Sequence, residues 1–316
     1  MKEARSGSTL EKLLDRGEFV VTAELGPPRS VDGGILDEKI AALKDAADAV
    51  NVTDNQTSIV RVSSIGVATY LVRQGIEPVI QVTCRDRNRI AIQSDLLGAA
   101  LGGVKNVLCI TGDHQCFGDH PQAKQVYDID SIQLVGIVKD MRDRKVFQSG
   151  QEIRNSKKAE IHEPRFLIGA VENPFADPFE WRVSRLEKKI NAGADFIQTQ
   201  CVYDMERFAA WMKEVVARGL HQRAKILAGL TPIRSLGMLK HMKNEVAGIL
   251  IPDSLAERLR AAKDVKAEGV QICLEQIEQL RRMEGVAGIH LMTVEWEAAV
   301  AQIVGAAGLL PRPKAA

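Results

Sequence analysis

FVVTAELGPPRS, residues 19–30, decides between two folds. Phe19 to Ala23 form a β-rich apolar run that leads into one acidic residue, Glu24, and then into a break at Gly26-Pro27-Pro28. A doubly wound open sheet normally carries a Gly-rich phosphate loop after its first strand. LGPPRS is no such loop, so the stretch favours a barrel. It also raises a chemical question. A carboxylate between Ala23 and Leu25 resists burial, so Glu24 is either a strand end meeting water or a carboxyl group held still for proton transfer.

Working outward, seven more short aliphatic runs follow: 49–53, 78–83, 106–111, 166–171, 196–200, 225–230 and 288–293. Each has the length of a buried parallel strand. Amphipathic stretches such as RIAIQSDLLGAALGG and RVSRLEKKINAGA lie between them and end in glycine, a common helix stop. Eight runs in β-then-α order predict a (β/α)₈ barrel over residues 1–316, with no visible domain linker. Another run, GILIP at 248–252, competes for a strand position, and a long helix is expected over 254–282. Residues 112–127 and 146–164 read as polar loops, and the tail AAGLLPRPKAA is expected to fray.

Composition narrows the class. The 316 residues are 45% hydrophobic, enough for one large core or two modest ones. Lys and Arg number 42 against 41 Asp and Glu, so no basic excess points to nucleic acid. The N-terminal segment lacks the apolar core of a signal peptide, and no stretch approaches the roughly 20 apolar residues of a membrane span. A cytoplasmic protein is expected. Five scattered cysteines without a CxxC fit reduced thiols better than disulfides. The pair Cys109 and Cys116 is too few for a metal site.

In a barrel, chemistry sits at the C-terminal strand ends. Those ends carry Glu24, then Thr53-Asp54-Asn55, Gln81 and Thr83, Thr111-Gly112-Asp113, Glu172-Asn173, Gln198-Thr199-Gln200, and Thr293. Taken singly, Thr53 and Thr83 can simply finish strands, Asp113 can cap a turn, and Gln200 can be a satisfied core amide. Together they place many polar groups at one end of an apolar barrel, where each must find a partner. No HExxH and no Ser-His-Asp elbow is present. Carboxylates, amides and hydroxyls around a cavity suit holding a cofactor and donating one proton.

Several segments resemble the methylenetetrahydrofolate reductase family of flavoproteins. They are TAELGPPRS (22–30), QVTCRDRNR (81–89), CITGDH (109–114), NPFADP (173–178), KKINAGADFIQTQCVYD (188–204) and GIHLMT (288–293). The resemblance covers nearly the whole chain in order. It implies a (β/α)₈ barrel with FAD at the C-terminal rim and reduction of 5,10-methylenetetrahydrofolate to 5-methyltetrahydrofolate by hydride from reduced flavin. It implies that Glu24 is the general acid protonating N10, which opens the folate ring to an iminium ion. Asp113 falls near flavin and pterin, where a carboxylate steadies positive charge. Thr53, Gln81, Tyr127, Asn173 and Ala176 fall on flavin contacts, with Gln81 and Asn173 each replacing a frequent His. Lys189 falls on a lysine that meets the FAD phosphates, and Gln200 on a glutamine that binds the pterin.

There are departures. Thr111 stands in place of an Arg, Leu236 in place of an aromatic residue that stacks on folate or nicotinamide, and Trp296 in place of an Arg for the folate tail. The chain is similar to short family members of acetogens, many of which work beside a small zinc- or iron–sulfur-containing partner. The electron donor is then NADH or such a partner. Two alternatives to a self-sufficient enzyme stay open: a flavin-binding subunit inactive alone within an electron-transfer assembly, and a flavin-free folate-binding barrel serving a corrinoid protein.

Overall fold

The computed structural model describes residues 4–246 and 248–315. Its parallel strands are β1 (Val20–Leu25), β2 (Ala49–Val52), β3 (Pro78–Thr83), β4 (Asn106–Ile110), β5 (Leu167–Glu172), β6 (Phe196–Cys201), β7 (Lys225–Leu230) and β8 (Val286–Leu291). They hydrogen-bond in chain order, and β8 pairs with β1 to close the barrel. The helices before β5 are α1 (Thr9–Asp15), α2 (Gly33–Leu43), α3 (Ser64–Arg73), α4 (Arg89–Leu101) and α5 (Ser131–Lys139). After β5 come α6 (Arg182–Ala192), α7 (Met205–Ala217), α8 (Leu220–Arg223), α9 (Leu236–Asn244), α10 (Asp253–Ala261), α11 (Val265–Arg282) and α12 (Ala298–Ala306).

Alternation along each strand builds two separate interiors. Outward-facing Val21, Ala23, Ile80 and Val82 pack beneath the helices with Leu36, Leu71, Leu96 and Trp211. Inward-facing Val20, Ala49, Val79, Leu167, Phe196 and Leu227 fill the lower bore. Helix α1 closes the bottom of that bore with Leu10, Leu13 and Leu14, all essentially buried. Ser8 caps it, and the Glu77 carboxylate accepts from the N–H groups of Thr9 and Leu10 at 2.6 and 2.8 Å. This plug sends ligand access to the opposite rim.

Three expectations are corrected. GILIP is not a strand: β7 pairs directly with β8, and Ile251 packs in an outer apolar cluster with Tyr203 and Leu239. The expected long helix over 254–282 is two helices. Ala262 is extended, and Asp264 starts α11 by accepting from the N–H groups of Lys266 and Ala267. The tail does not fray at Arg312. Its guanidinium pairs with the buried Asp48 carboxylate at 2.6 Å and donates to the Phe19 carbonyl at 2.8 Å. Asp48 also accepts from the Val21 N–H, so an unpaired charge would otherwise sit under β1.

Candidate active site

Glu24 lies at the end of β1, and Gln81 faces it from β3. Period-two alternation turns both into the bore, above a polar layer formed by Thr22, Asn51, Gln198 and His290. The open space above has a volume of about 440 Å³, within the range of small-molecule sites. Its walls combine Glu24, Gln81, Thr83, Asp113, Asn173 and Gln200 with apolar Leu108, Ile110, Val171 and Met292. The sequence-based expectation that polar strand ends converge is thus met for these residues. Thr53, Tyr127 and Ala176 are not part of the wall among the described residues. Thr53 donates to Gln56 at 2.6 Å, and the Tyr127 hydroxyl lies against the Gly112 carbonyl at 3.4 Å.

The Glu24 side chain keeps 23% exposure. Burial pushes its pKa from 4.5 up to about 7; the Glu297 charge adds to the rise, and a hydrogen bond from Gln81 opposes it. His290 lies deeper, with Nε2 4.0 Å from Glu24 Oε2 and Nδ1 3.0 Å from Thr22 Oγ1. Burial pushes its pKa down to about 3, so the imidazole is neutral near pH 7. A half-buried carboxyl group poised near neutrality can donate or accept a proton at working pH.

Asp113 sits on the loop after β4, next to Gly112 at φ +92°. A Cβ at Gly112 would meet Thr83 at 3.1 Å while the backbone held a left-handed conformation, which explains the glycine. The Asp113 carboxylate accepts from the Thr57 N–H at 2.9 Å, and its carbonyl accepts from Ser58 Oγ and from Arg85 Nη1, each at 3.0 Å. Asn55, Thr57 and Ser58 all have positive φ, so the turn after β2 is strained and held by these bonds. Buried Arg85 also donates to the Asn55 carbonyl at 3.2 Å, tying the loops after β2 and β4 together. Asp54 accepts from the backbone N–H and hydroxyl of Thr83 and pairs with Arg87.

Lys189 and Asn173 are engaged within the protein. Lys189 lines the cavity but pairs with Glu172 at 2.9 Å and donates to the Val171 carbonyl. Burial pulls the ammonium pKa down, and Glu172 opposes that. Asn173 donates to the Gly248 carbonyl at 3.1 Å and accepts from the Phe175 N–H at 3.0 Å. Arg185, one turn before Lys189 on α6, adds a second cation to the wall. Thr111 pairs with the Ser131 hydroxyl at 3.2 Å, Leu236 is 45% exposed at the start of α9, and Lys266 sits 4.5 Å over the Trp296 ring. Among the described residues, no group of three or more His, Cys, Asp or Glu could hold a metal ion, and no helix is long and apolar enough to cross a membrane.

His290, Arg85 and Arg185 also line or brace the site, and none of them carries a role in the sequence-based expectations. His290 was readable as the inward position of GIHLMT, two residues before Met292 on the same face. Arg85 and Arg185 gave no such signal, since arginine in a loop or on a helix is ordinarily a solvated side chain.

The sequence profile of the Methylenetetrahydrofolate reductase family matches residues 9–308. Methylenetetrahydrofolate reductase 2 of Schizosaccharomyces pombe is 28% identical over 242 residues, covering 74% of this chain and 36% of that protein. The chain thus spans about a third of that longer relative. The 5,10-methylenetetrahydrofolate reductase of Pectobacterium carotovorum is 23% identical over 290 residues, covering 88% of this chain and 87% of that one. A Clostridium thermocellum protein whose structure holds two copies of 5-methyl-5,6,7,8-tetrahydrofolic acid superposes with a TM-score of 0.64 at 18% identity, over 96% of this chain and 100% of that one, which shows a shared fold. With nearly its whole length matched, this chain belongs to the methylenetetrahydrofolate reductase family.

Proposed function

We propose that the chain is a FAD-dependent 5,10-methylenetetrahydrofolate reductase working as a single barrel domain in the cytoplasm, with Glu24 as the general acid. The observation that carries this reading is Glu24 itself: a carboxyl group at a barrel strand end, facing a cavity, with its pKa raised to about 7. A proton placed there can pass to N10 of the folate, opening the ring to the iminium ion that accepts hydride. The folate named in the C. thermocellum structure supports a reduced-folate substrate on this fold.

The cavity suits a flat heteroaromatic ring. Leu108, Ile110, Val171 and Met292 offer an apolar surface, and the amides of Gln81 and Asn173 offer donors and acceptors at its edge. Thr53, Tyr127 and Ala176 lie on the loops that frame this space, and Arg185 supplies positive charge for phosphates, with Lys189 beside it held in its pair with Glu172. FAD, when bound and reduced, supplies the hydride. Asp113 steadies positive charge on the iminium form, and Gln200 orients the pterin. Electron delivery by a small partner subunit is favoured over direct NADH use by the exposed Leu236 and the uncharged Thr111 at the positions where the resemblance implies an aromatic residue and an Arg.

The test is direct. Purified chain is supplied with FAD, photoreduced, and mixed with methylenetetrahydrofolate under anaerobic conditions. Reoxidation of the flavin with formation of 5-methyltetrahydrofolate is expected. Failure to take up FAD, or a reduced flavin that the folate does not oxidise, contradicts the reading.

A further inference from the structure

The bore beneath Glu24 holds a directed chain of hydrogen bonds. Asn51 and Gln198 exchange amide bonds, Nδ2 to Oε1 at 2.6 Å and Nε2 to Oδ1 at 3.1 Å. Gln198 Nε2 also donates to Thr22 Oγ1 at 3.2 Å. The β1–β8 register sets Thr22 beside His290, and Thr22 Oγ1 lies 3.0 Å from His290 Nδ1. The other acceptor within reach of the Thr22 hydroxyl, the Ile289 carbonyl, is 3.4 Å away, longer than an ordinary O–H···O bond. The shorter contact assigns the hydroxyl as donor to Nδ1. A neutral imidazole carries one N–H, and with Nδ1 accepting, that N–H is at Nε2, which points toward Glu24.

We propose that His290 is the positioning residue of the general acid: its Nε2–H faces the Glu24 carboxyl and supports the carboxylate left when Glu24 gives up its proton. No second proton moves in this step. The Glu24 O–H bond breaks, the new N–H bond forms on the substrate, and the negative charge stays on Glu24 beside the imidazole. At 4.0 Å the contact is longer than a hydrogen bond, so the imidazole acts as a fixed dipole aimed at the carboxylate on which charge develops. Of the other groups facing Glu24, only Gln81 also supports the carboxylate, by a direct hydrogen bond from the cavity side. Glu297, which pairs with Lys39 of α2, and the Cys201 thiol of β6 do not stabilise a new anion, and Gln81 meets the carboxyl from β3. His290 approaches from beneath on β8, the face opposite the cavity mouth. Burial keeps the ring neutral, so its tautomer decides whether it presents a donor or a lone pair.

The inference rests on reading Glu24 as the general acid, and its test is independent of turnover. In ¹⁵N-histidine NMR of the whole chain, His290 is expected as the Nε2–H tautomer. In infrared difference titration, with Glu24→Gln as the blank, His290→Leu is expected to raise the Glu24 pKa by about one unit. His290→Gln, whose amide N–H reaches the place of Nε2, is expected to keep it near the parent value. Thr22→Val leaves the imidazole in place, frees its tautomer, and is expected to move the titration upward, which keeps the test available if His290→Leu does not fold. An Nδ1–H ring in the parent, an unshifted titration in both His290→Leu and Thr22→Val, or a His290→Gln shift as large as that of His290→Leu overturns the proposal. A Glu24→Gln enzyme that keeps full turnover instead overturns the functional reading and leaves the titration result standing.

Discussion

Lys189 on α6 and Glu172 at the end of β5 form an ion pair of 2.9 Å, with side chains only 6% and 1% exposed. Such a pair holds the end of β5 against α6, and its energy appears mainly when one member is removed. Breaking a buried pair by truncating one partner costs about 3–5 kcal/mol, whereas replacing both with apolar residues is often neutral. Lys189→Ala is therefore expected to lower stability by about that amount in urea unfolding. The double change Lys189→Met with Glu172→Leu should recover most of it. A Lys189→Ala protein as stable as the parent, but weakened only in FAD affinity, would make the lysine a phosphate ligand with no structural part.

Arg312 makes a second prediction of this kind at the other end of the barrel. Its pair with Asp48 is nearly buried, at 8% and 1% exposure. Deleting the chain from Pro311 onward should cost about 3–5 kcal/mol despite removing only six residues of tail. A truncated protein with the parent melting temperature contradicts that anchor.

The raised pKa of Glu24 has a stability consequence whose sign is opposite to that of most carboxylates. Folding lifts the value from 4.5 to about 7, so the folded state holds the proton more tightly. This contribution is complete below the unfolded value and is lost as pH rises through about 7. Glu24→Gln cannot lose it. At pH 8 the variant should be more stable than the parent by about 1–3 kcal/mol, with little difference near pH 4.5. Calorimetry at the two pH values checks this, and equal stability at pH 8 contradicts a raised pKa.

The barrel was legible because every strand run was aliphatic and bounded by polar turns, so burial on both faces left a plain signal. Glu24 was legible for the opposite reason, as a carboxylate where burial is costly. The plug α1 was not, because TLEKLLD is a short amphipathic stretch whose partner surface, the lower bore, exists only once the barrel closes. The break at Ala262 was hidden by helix-favouring residues on both sides, and only the Asp264 cap decides it. The resemblance places Lys189 at the FAD phosphates and Asn173 at the flavin, and their bonds to Glu172 and Gly248 depend on contacts across loops that spacing does not encode. The polar layer under Glu24 was invisible for the same reason: Thr22, Asn51, Gln198 and His290 meet only across the bore.

The rim predicts the electron donor. Leu236 offers no aromatic stack, which removes roughly 0.5–1.5 kcal/mol, about tenfold in affinity or less. That alone does not abolish NADH use, and the proposed second cause is a partner at the cavity mouth. Stopped-flow mixing of the oxidised, FAD-loaded chain with excess NADH should show slow bleaching or none, while a reduced viologen bleaches it readily. Bleaching by NADH at the turnover rate would make this an ordinary NADH-dependent reductase.

The most direct measurement of the central claim is the oxidation of photoreduced, FAD-loaded Glu24→Gln by methylenetetrahydrofolate in the stopped-flow instrument, beside the parent. A positioned general acid contributes about 10²–10⁴-fold, so the variant should bind FAD, accept electrons from an artificial donor as the parent does, and pass them to the folate slower by that factor. In the parent, the same rate should fall as pH rises through about 7, where Glu24 loses its proton. A Glu24→Gln protein that oxidises at the parent rate would make Glu24 a strand-end carboxylate and would contradict the account.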